Sequence, residues 1–164
     1  MSFKGIVTVI RIPFLILALI LSILGAAVAW YEFRLFGSPF NLGYAVLATF
    51  GLLVAHAAVN IFNDYFDARS GLDYKTRRTP FSGGSGAAPE GLLTVSEVFW
   101  LGIICLLILI PIALFFVLKS GWMLLPLLVL AAILIIFYTP FILKMGYPEW
   151  SAGLGLGILP VMGA

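Results

Sequence analysis

Four stretches of the chain stay apolar for the length of a membrane crossing: Ile12–Trp30, Leu42–Phe62, Val98–Leu118 and Trp122–Leu143. Each runs to roughly 20 residues, which at about 1.5 Å per residue covers the ~30 Å of hydrocarbon in a bilayer. They predict four transmembrane helices. A fifth apolar run begins near Trp150 and is still apolar at Ala164, too short to cross comfortably. It reads as a helix entered but not completed. The opening MSFKGIVTVIRIPF carries a basic residue but no small-residue cleavage site after a short apolar core. The first run is therefore expected to remain as a helix rather than to be removed as a signal peptide. The fold class that follows is all-α, a polytopic transmembrane bundle forming a single domain over residues 1–164.

The connections differ in character. Residues 31–41 form a short turn with Gly37 and Pro39, and Lys119–Gly121 is tighter still. Between the second and third helices lies a loop over 63–97, holding most of the charge. Loops of that length in compact proteins are usually functional or disordered. Composition strengthens the membrane reading. Apolar residues make up 63% of the chain and charged residues 10%, with a mean hydropathy of +1.17. A soluble domain is closer to half apolar and a quarter charged. The net charge of +2 gives no argument for a nucleic-acid partner. The single cysteine, Cys105, excludes an internal disulfide and a cysteine-based metal cluster, and is expected to be a small lipid-facing or core residue.

The placement of the cations orients the chain. Alternating helices put the N-terminus, the 63–97 loop and the 144–149 loop on one side, with Lys4, Arg11, Arg69, Lys75, Arg77, Arg78 and Lys144; Arg34 and Lys119 fall on the other. The positive-inside rule assigns the richer side to the cytoplasm of a plasma-membrane protein.

The second run ends in His56-Ala-Ala-Val-Asn60-Ile-Phe-Asn63-Asp64-Tyr-Phe-Asp67. At helical spacing His56, Asn60 and Asp64 follow one another by four, as do Asn63 and Asp67, and Asp64 and Asp67 are three apart. Polar groups on one helix face inside a membrane are costly and tend to face a cavity or the bundle interior. Asp64 and Asp67 can approach one point, and Asn63 adds a neutral oxygen. That donor set suits a hard cation such as Mg²⁺, which keeps waters or phosphate oxygens in the rest of its shell. His56 reads first as a hydrogen-bonded core histidine and second as a base. Asp73 follows, then Lys75, Arg77 and Arg78, then Ser82-Gly-Gly-Ser-Gly86. Cations bind phosphate oxygens, and glycines let backbone N–H groups curl round an anion. These loop residues by themselves also fit a flexible loop with ordinary positive-inside charge. Carboxylates, cations and a hydrophobic bundle together describe a site for a lipid diphosphate. A transporter or channel would also use a polar stripe, as an ion path, but leaves Arg77, Arg78 and the SGGSG turn without a role. A scaffold without chemistry leaves the carboxylates unexplained.

Asn60-x-x-Asn63-Asp64-x-x-Asp67, with Asp73 after Ser70-Gly71, resembles the first aspartate-rich motif of the UbiA superfamily of intramembrane prenyltransferases. The form NDYFDARSGLD is most similar to the branch that prenylates dihydroxynaphthoate for menaquinone. Arg11-Ile-Pro-Phe, Arg78-Thr-Pro-Phe-Ser and Tyr138-Thr-Pro also resemble that family, in order along essentially the whole chain. The resemblance implies a bundle of about nine spans with an aspartate-rich motif in each half; residues 1–164 carry only the first, so half an active site and an inactive chain are expected. It further implies a Mg²⁺-dependent transferase moving a polyprenyl group from its diphosphate to an aromatic acceptor. Asn63, Asp64 and Asp67 would be the catalytic positions, with the metal on Asp64 and Asp67. Asn60, Asp73, Lys75, Arg77, Arg78, Ser82, Gly83 and Tyr138 would bind substrate. Tyr65 or Tyr138 could steady an allylic cation through its ring face; for Tyr138 a place in the interfacial aromatic belt is an equal alternative.

Overall fold

The computed structural model describes residues 1–77, 79, 83–146 and 149–163. Among them the regular elements are all helical. A short amphipathic helix α1 (Phe3–Ile10) precedes the long α2 (Ile12–Phe36), α3 (Leu42–Ser70) and α4 (Val95–Ser120). A 3₁₀ turn at Trp122–Leu124 leads into α5 (Leu125–Phe137), which continues as a π-helical turn over Tyr138–Ile142. The final apolar run is helical too: α6 (Glu149–Gly153), a π turn (Leu154–Ile158) and α7 (Leu159–Gly163). Four helices, Ile12–Phe36, Leu42–Ser70, Val95–Ser120 and Trp122–Ile142, are long and apolar enough to cross a membrane.

The predicted spans are all present, with ends displaced where polar residues continue the helix. α2 runs past Trp30 to Phe36, so the expected turn over 31–41 shrinks to 37–41. α3 runs past the apolar stretch to Ser70, and α4 starts at Val95. The loop expected over 63–97 is therefore 71–94, and Asn63, Asp64 and Asp67 are helical. The physical reason is capping. Asn41 accepts from the Tyr44 N–H at 3.1 Å to open α3. Thr94 and Glu97 form the reciprocal capping box expected of T-x-x-E and open α4. Helices end where caps permit, not where hydrophobicity ends.

The break between α1 and α2 has its own cause. Pro13 lacks an N–H and its ring crowds the carbonyl four residues back, and it stands in the first turn of α2, the position a proline fits best. The joint is Arg11, at φ 56° and ψ 59°, the one non-glycine residue with positive φ among those described.

α3 is central and packs on α1, α2, α4 and α5, while α7 lies against α2. One buried cluster, Val9, Ile61, Ala87, Leu93 and Val98, ties α1, α3, the loop and α4 together. A second, Ala58, Phe62 and Ile135, ties α3 to α5 with help from Phe99 and Ile103 of α4. Cys105 packs against both clusters, which makes it a core residue. Large apolar side chains such as Ile16, Ile20, Leu107 and Leu114 point outward, as a bilayer-facing surface requires.

Candidate active site beside the glycine-rich loop

The helices enclose a cavity of about 1000 Å³, at the top of the range for small-molecule sites. Along α3 its wall extends from Ala48 to Asp67, about 28 Å at the usual rise per residue. Its two regions differ in chemistry. One carries Arg11, Asn60, Asn63, Asp67, Asp73, Thr76, Gly83 and Gly84; the rest is walled by residues such as Ala18, Leu52, Leu109 and Leu128.

The polar region is assembled by the end of α3. Gly71 terminates the helix at φ 78°, a left-handed conformation that costs a β-carbon dearly. The reversal lets the N–H groups of Leu72 and Asp73 both donate to the Asp67 carbonyl, at 3.0 and 3.4 Å. Asp73 is thereby curled back over Asp67 and is 5% exposed. Gly84, at φ 77°, closes on it from the glycine-rich loop; a β-carbon there would overlap the Asp73 carboxylate. Asn63 donates to the Thr139 hydroxyl at 3.1 Å. Thr139 is presented by the π turn, where Pro140 cannot supply a ladder N–H.

Asp64 has a different environment from Asp67. It is 2% exposed, and it does not line the cavity as Asp67 does. Arg11 Nη2 pairs with its Oδ1 at 2.8 Å. The Ser85 N–H reaches its two oxygens at 3.1 and 3.2 Å, and the Ser85 hydroxyl donates to Oδ2. One turn earlier, Asn60 Nδ2 donates to the Ile10 carbonyl at 2.9 Å. In an unbroken helix that carbonyl would accept from Phe14, but the Phe14 N–H goes to Arg11 instead, at 2.9 Å. Asn60 and Asp64 therefore fasten both parts of the α1–α2 joint, the orphaned carbonyl and the cation. Through Ser85 the same carboxylate ties the glycine-rich loop to α3.

The other sequence candidates divide. Gly83 and Tyr138 lie on the cavity wall. Lys75 and Arg77 are exposed on the loop and off the cavity wall. Arg78 and Ser82 lie outside the described residues. Tyr65 is not on the wall: it stacks with Phe66 and Phe99 at centroid distances of 5.0 and 5.1 Å, and its hydroxyl accepts from Arg69 at 2.9 Å. Sequence reasoning missed Arg11, Ser85 and Thr139 as parts of this region. Arg11 did leave a signal, because a cation at the mouth of an apolar helix needs a carboxylate partner.

Among the described residues no three or more His, Cys, Asp or Glu side chains gather as a metal cluster. Asp67, Asp73 and Asn63 do line one end of the cavity. Two carboxylates and an amide oxygen are hard donors, few in number, and fit a Mg²⁺ ion that completes its shell with water and phosphate oxygens.

Comparison with curated proteins and with solved structures finds no match. The model of the UbiA prenyltransferase family matches residues 18–164, nearly the whole chain. With a membrane bundle closed round a cavity that is polar at one end and apolar along its length, the chain belongs to the UbiA prenyltransferase family, and membership implies prenyl transfer within the membrane.

Proposed function

We propose that this chain serves the transfer of a polyprenyl group from its diphosphate to an aromatic acceptor in quinone biosynthesis, with a dihydroxynaphthoate of the menaquinone route as acceptor. The observation that carries this reading is the division of one cavity into a carboxylate-lined end and a long, mainly apolar wall. Asp67, Asp73 and Asn63 would hold Mg²⁺, whose charge would offset that of the diphosphate as it leaves. Asp64, already paired with Arg11, would act on the site by holding the joint and the loop in place.

The chemistry asked of the chain is modest. The allylic C–O bond breaks and the diphosphate departs with the electron pair. A ring carbon of the acceptor attacks the allylic cation, and aromaticity returns when that carbon gives up its proton to the departed diphosphate. Arg11 lines the cavity with its Nε buried and without a hydrogen-bond partner, so a diphosphate oxygen would satisfy it. The ring face of Tyr138 can steady the cation. The apolar wall keeps water from intercepting it.

The test is binding of a labelled polyprenyl diphosphate to the purified chain in lipid nanodiscs, with magnesium or with a chelator. Binding should require magnesium. Asp67→Asn and Asp73→Asn should each weaken it by about tenfold or more, the scale expected when a charge-assisted contact is lost. Equal binding with and without magnesium, or in both variants, would overturn the metal and donor assignments. The readout is binding, so it does not depend on turnover.

A further inference from the structure

The cavity wall carries a polar group, one turn before Asn60, that the donor site does not use. His56 is the chain's single histidine. It sits on α3 one turn before Asn60, is 7% exposed and lines the cavity. Its Nδ1 is buried and has no hydrogen-bond partner. Its neighbours on the wall, Leu52, Ala55 and Val59, are apolar. Asn60, the nearest polar side chain along the helix, donates instead to the Ile10 carbonyl at 2.9 Å. A buried polar nitrogen left unsatisfied costs free energy unless something arrives to meet it.

We propose that His56 binds the aromatic acceptor, with its Nδ1 hydrogen-bonded to a ring hydroxyl. This rests on the prenyl-transfer reading and adds the acceptor's place to it. The alternatives for that nitrogen are poor. A prenyl tail has no polar atom to offer. A diphosphate is drawn to the end where Arg11, Asn63 and the two cavity carboxylates lie. A phenolic hydroxyl can donate to the lone pair of Nδ1 in the neutral tautomer that carries its proton on Nε2. His56 lies about 10 Å along the helix axis from Asn63, which leaves space for one aromatic ring system between the histidine and the donor carbon. A hydroxyl that donates to His56 also pushes electron density into its ring, and the ring is the nucleophile. His56 is thus a positioning residue with a chemical consequence.

The experiment uses the purified chain in nanodiscs and two probes, 1,4-dihydroxynaphthalene and its dimethyl ether, which keeps the ring system and loses both donors. The unaltered protein should bind the diol about tenfold more tightly than the ether, the scale of one hydrogen bond to a buried group. His56→Ala should erase that preference and leave the ether's affinity as it was. His56→Asn, which returns an amide near Nδ1, should restore part of it. Magnesium-dependent binding of polyprenyl diphosphate, measured on the same samples, should be equal in all three and serves as the control for folding. Equal affinity for diol and ether in the unaltered protein would overturn the proposal, as would a preference that survives His56→Ala. Absence of donor binding in the unaltered protein would instead count against the prenyl-transfer reading, and the diol arm would still report on His56.

Discussion

Asp64 and Asp67 stand three residues apart in one motif and meet different surroundings. Asp64 is enclosed with Arg11 and Ser85, and removing one partner of a buried ion pair leaves the other charge stranded. Asp64→Ala should therefore destabilise the protein by about 3–5 kcal/mol. The double variant Arg11→Met, Asp64→Leu should lose less than Asp64→Ala alone, because no unpaired charge remains. Thermal unfolding in detergent measures both, and a double variant less stable than the single one would refute the account. Asp67 is on the cavity wall near the C-terminal end of α3, where a negative charge opposes the helix dipole. Asp67→Ala should leave the unfolding temperature nearly unchanged while magnesium-dependent donor binding disappears. The motif itself was legible because carboxylates near an amide at helical spacing are uncommon in apolar sequence. The difference in their surroundings was not, because the partner that separates the two aspartates comes from a residue 53 positions away.

At the scale of elements, what matters is how α3 ends. Its apolar run stops at Phe62, but the helix continues to the glycine cap at Gly71. Eight further helical residues, 63–70, carry the polar face that meets the loop. Gly71→Ala forces a β-carbon into a left-handed conformation at a cost of about 1–2 kcal/mol. It should also displace Asp73 from its place over Asp67, so donor binding should fall several-fold along with stability. Thr94→Ala breaks the capping box of α4 and should cost about 1 kcal/mol. Thr94 lies off the cavity wall, so donor binding should be unaltered. A Gly71→Ala protein with lower stability but full binding would show that the curl of the chain at Asp73 is unimportant to the site.

For the whole molecule the question is orientation. The positive-inside argument counted Arg11 among the cytoplasmic cations, whereas the structure buries its charge against Asp64. Lys4, Arg69, Lys75 and Arg77 remain exposed on that side, and they carry the inference that the glycine-rich loop is cytoplasmic. In a Cys105→Ser background, Lys75→Cys should react with a membrane-impermeant thiol reagent only after the inner face is opened. Reaction in intact cells would reverse the topology. Lys75 suits this test because it is exposed and lies off the cavity wall.

The sequence by itself determined the all-helical class, the four spans, the tight turn at Lys119–Gly121 and the existence of a polar face on α3. These are local properties: run length, spacing by three and four, and capping pairs within a few residues. Tertiary structure alone decided what each member of that face meets. At about 100° per residue, Asp64 and Asp67 differ by only about 60° round the helix, so a wheel drawn from sequence places them on one stripe. A stripe of that width still meets two neighbours. The broken first helix brings Arg11 to Asp64, while Asp67 is left to the cavity and Asn63 reaches Thr139 across 76 residues of chain. His56 was legible as a polar position but not as one whose Nδ1 lacks a partner, since that is a property of everything packed round it. Separation along the chain carries no information about such encounters; only the packing of α2, α4 and α5 on α3 does.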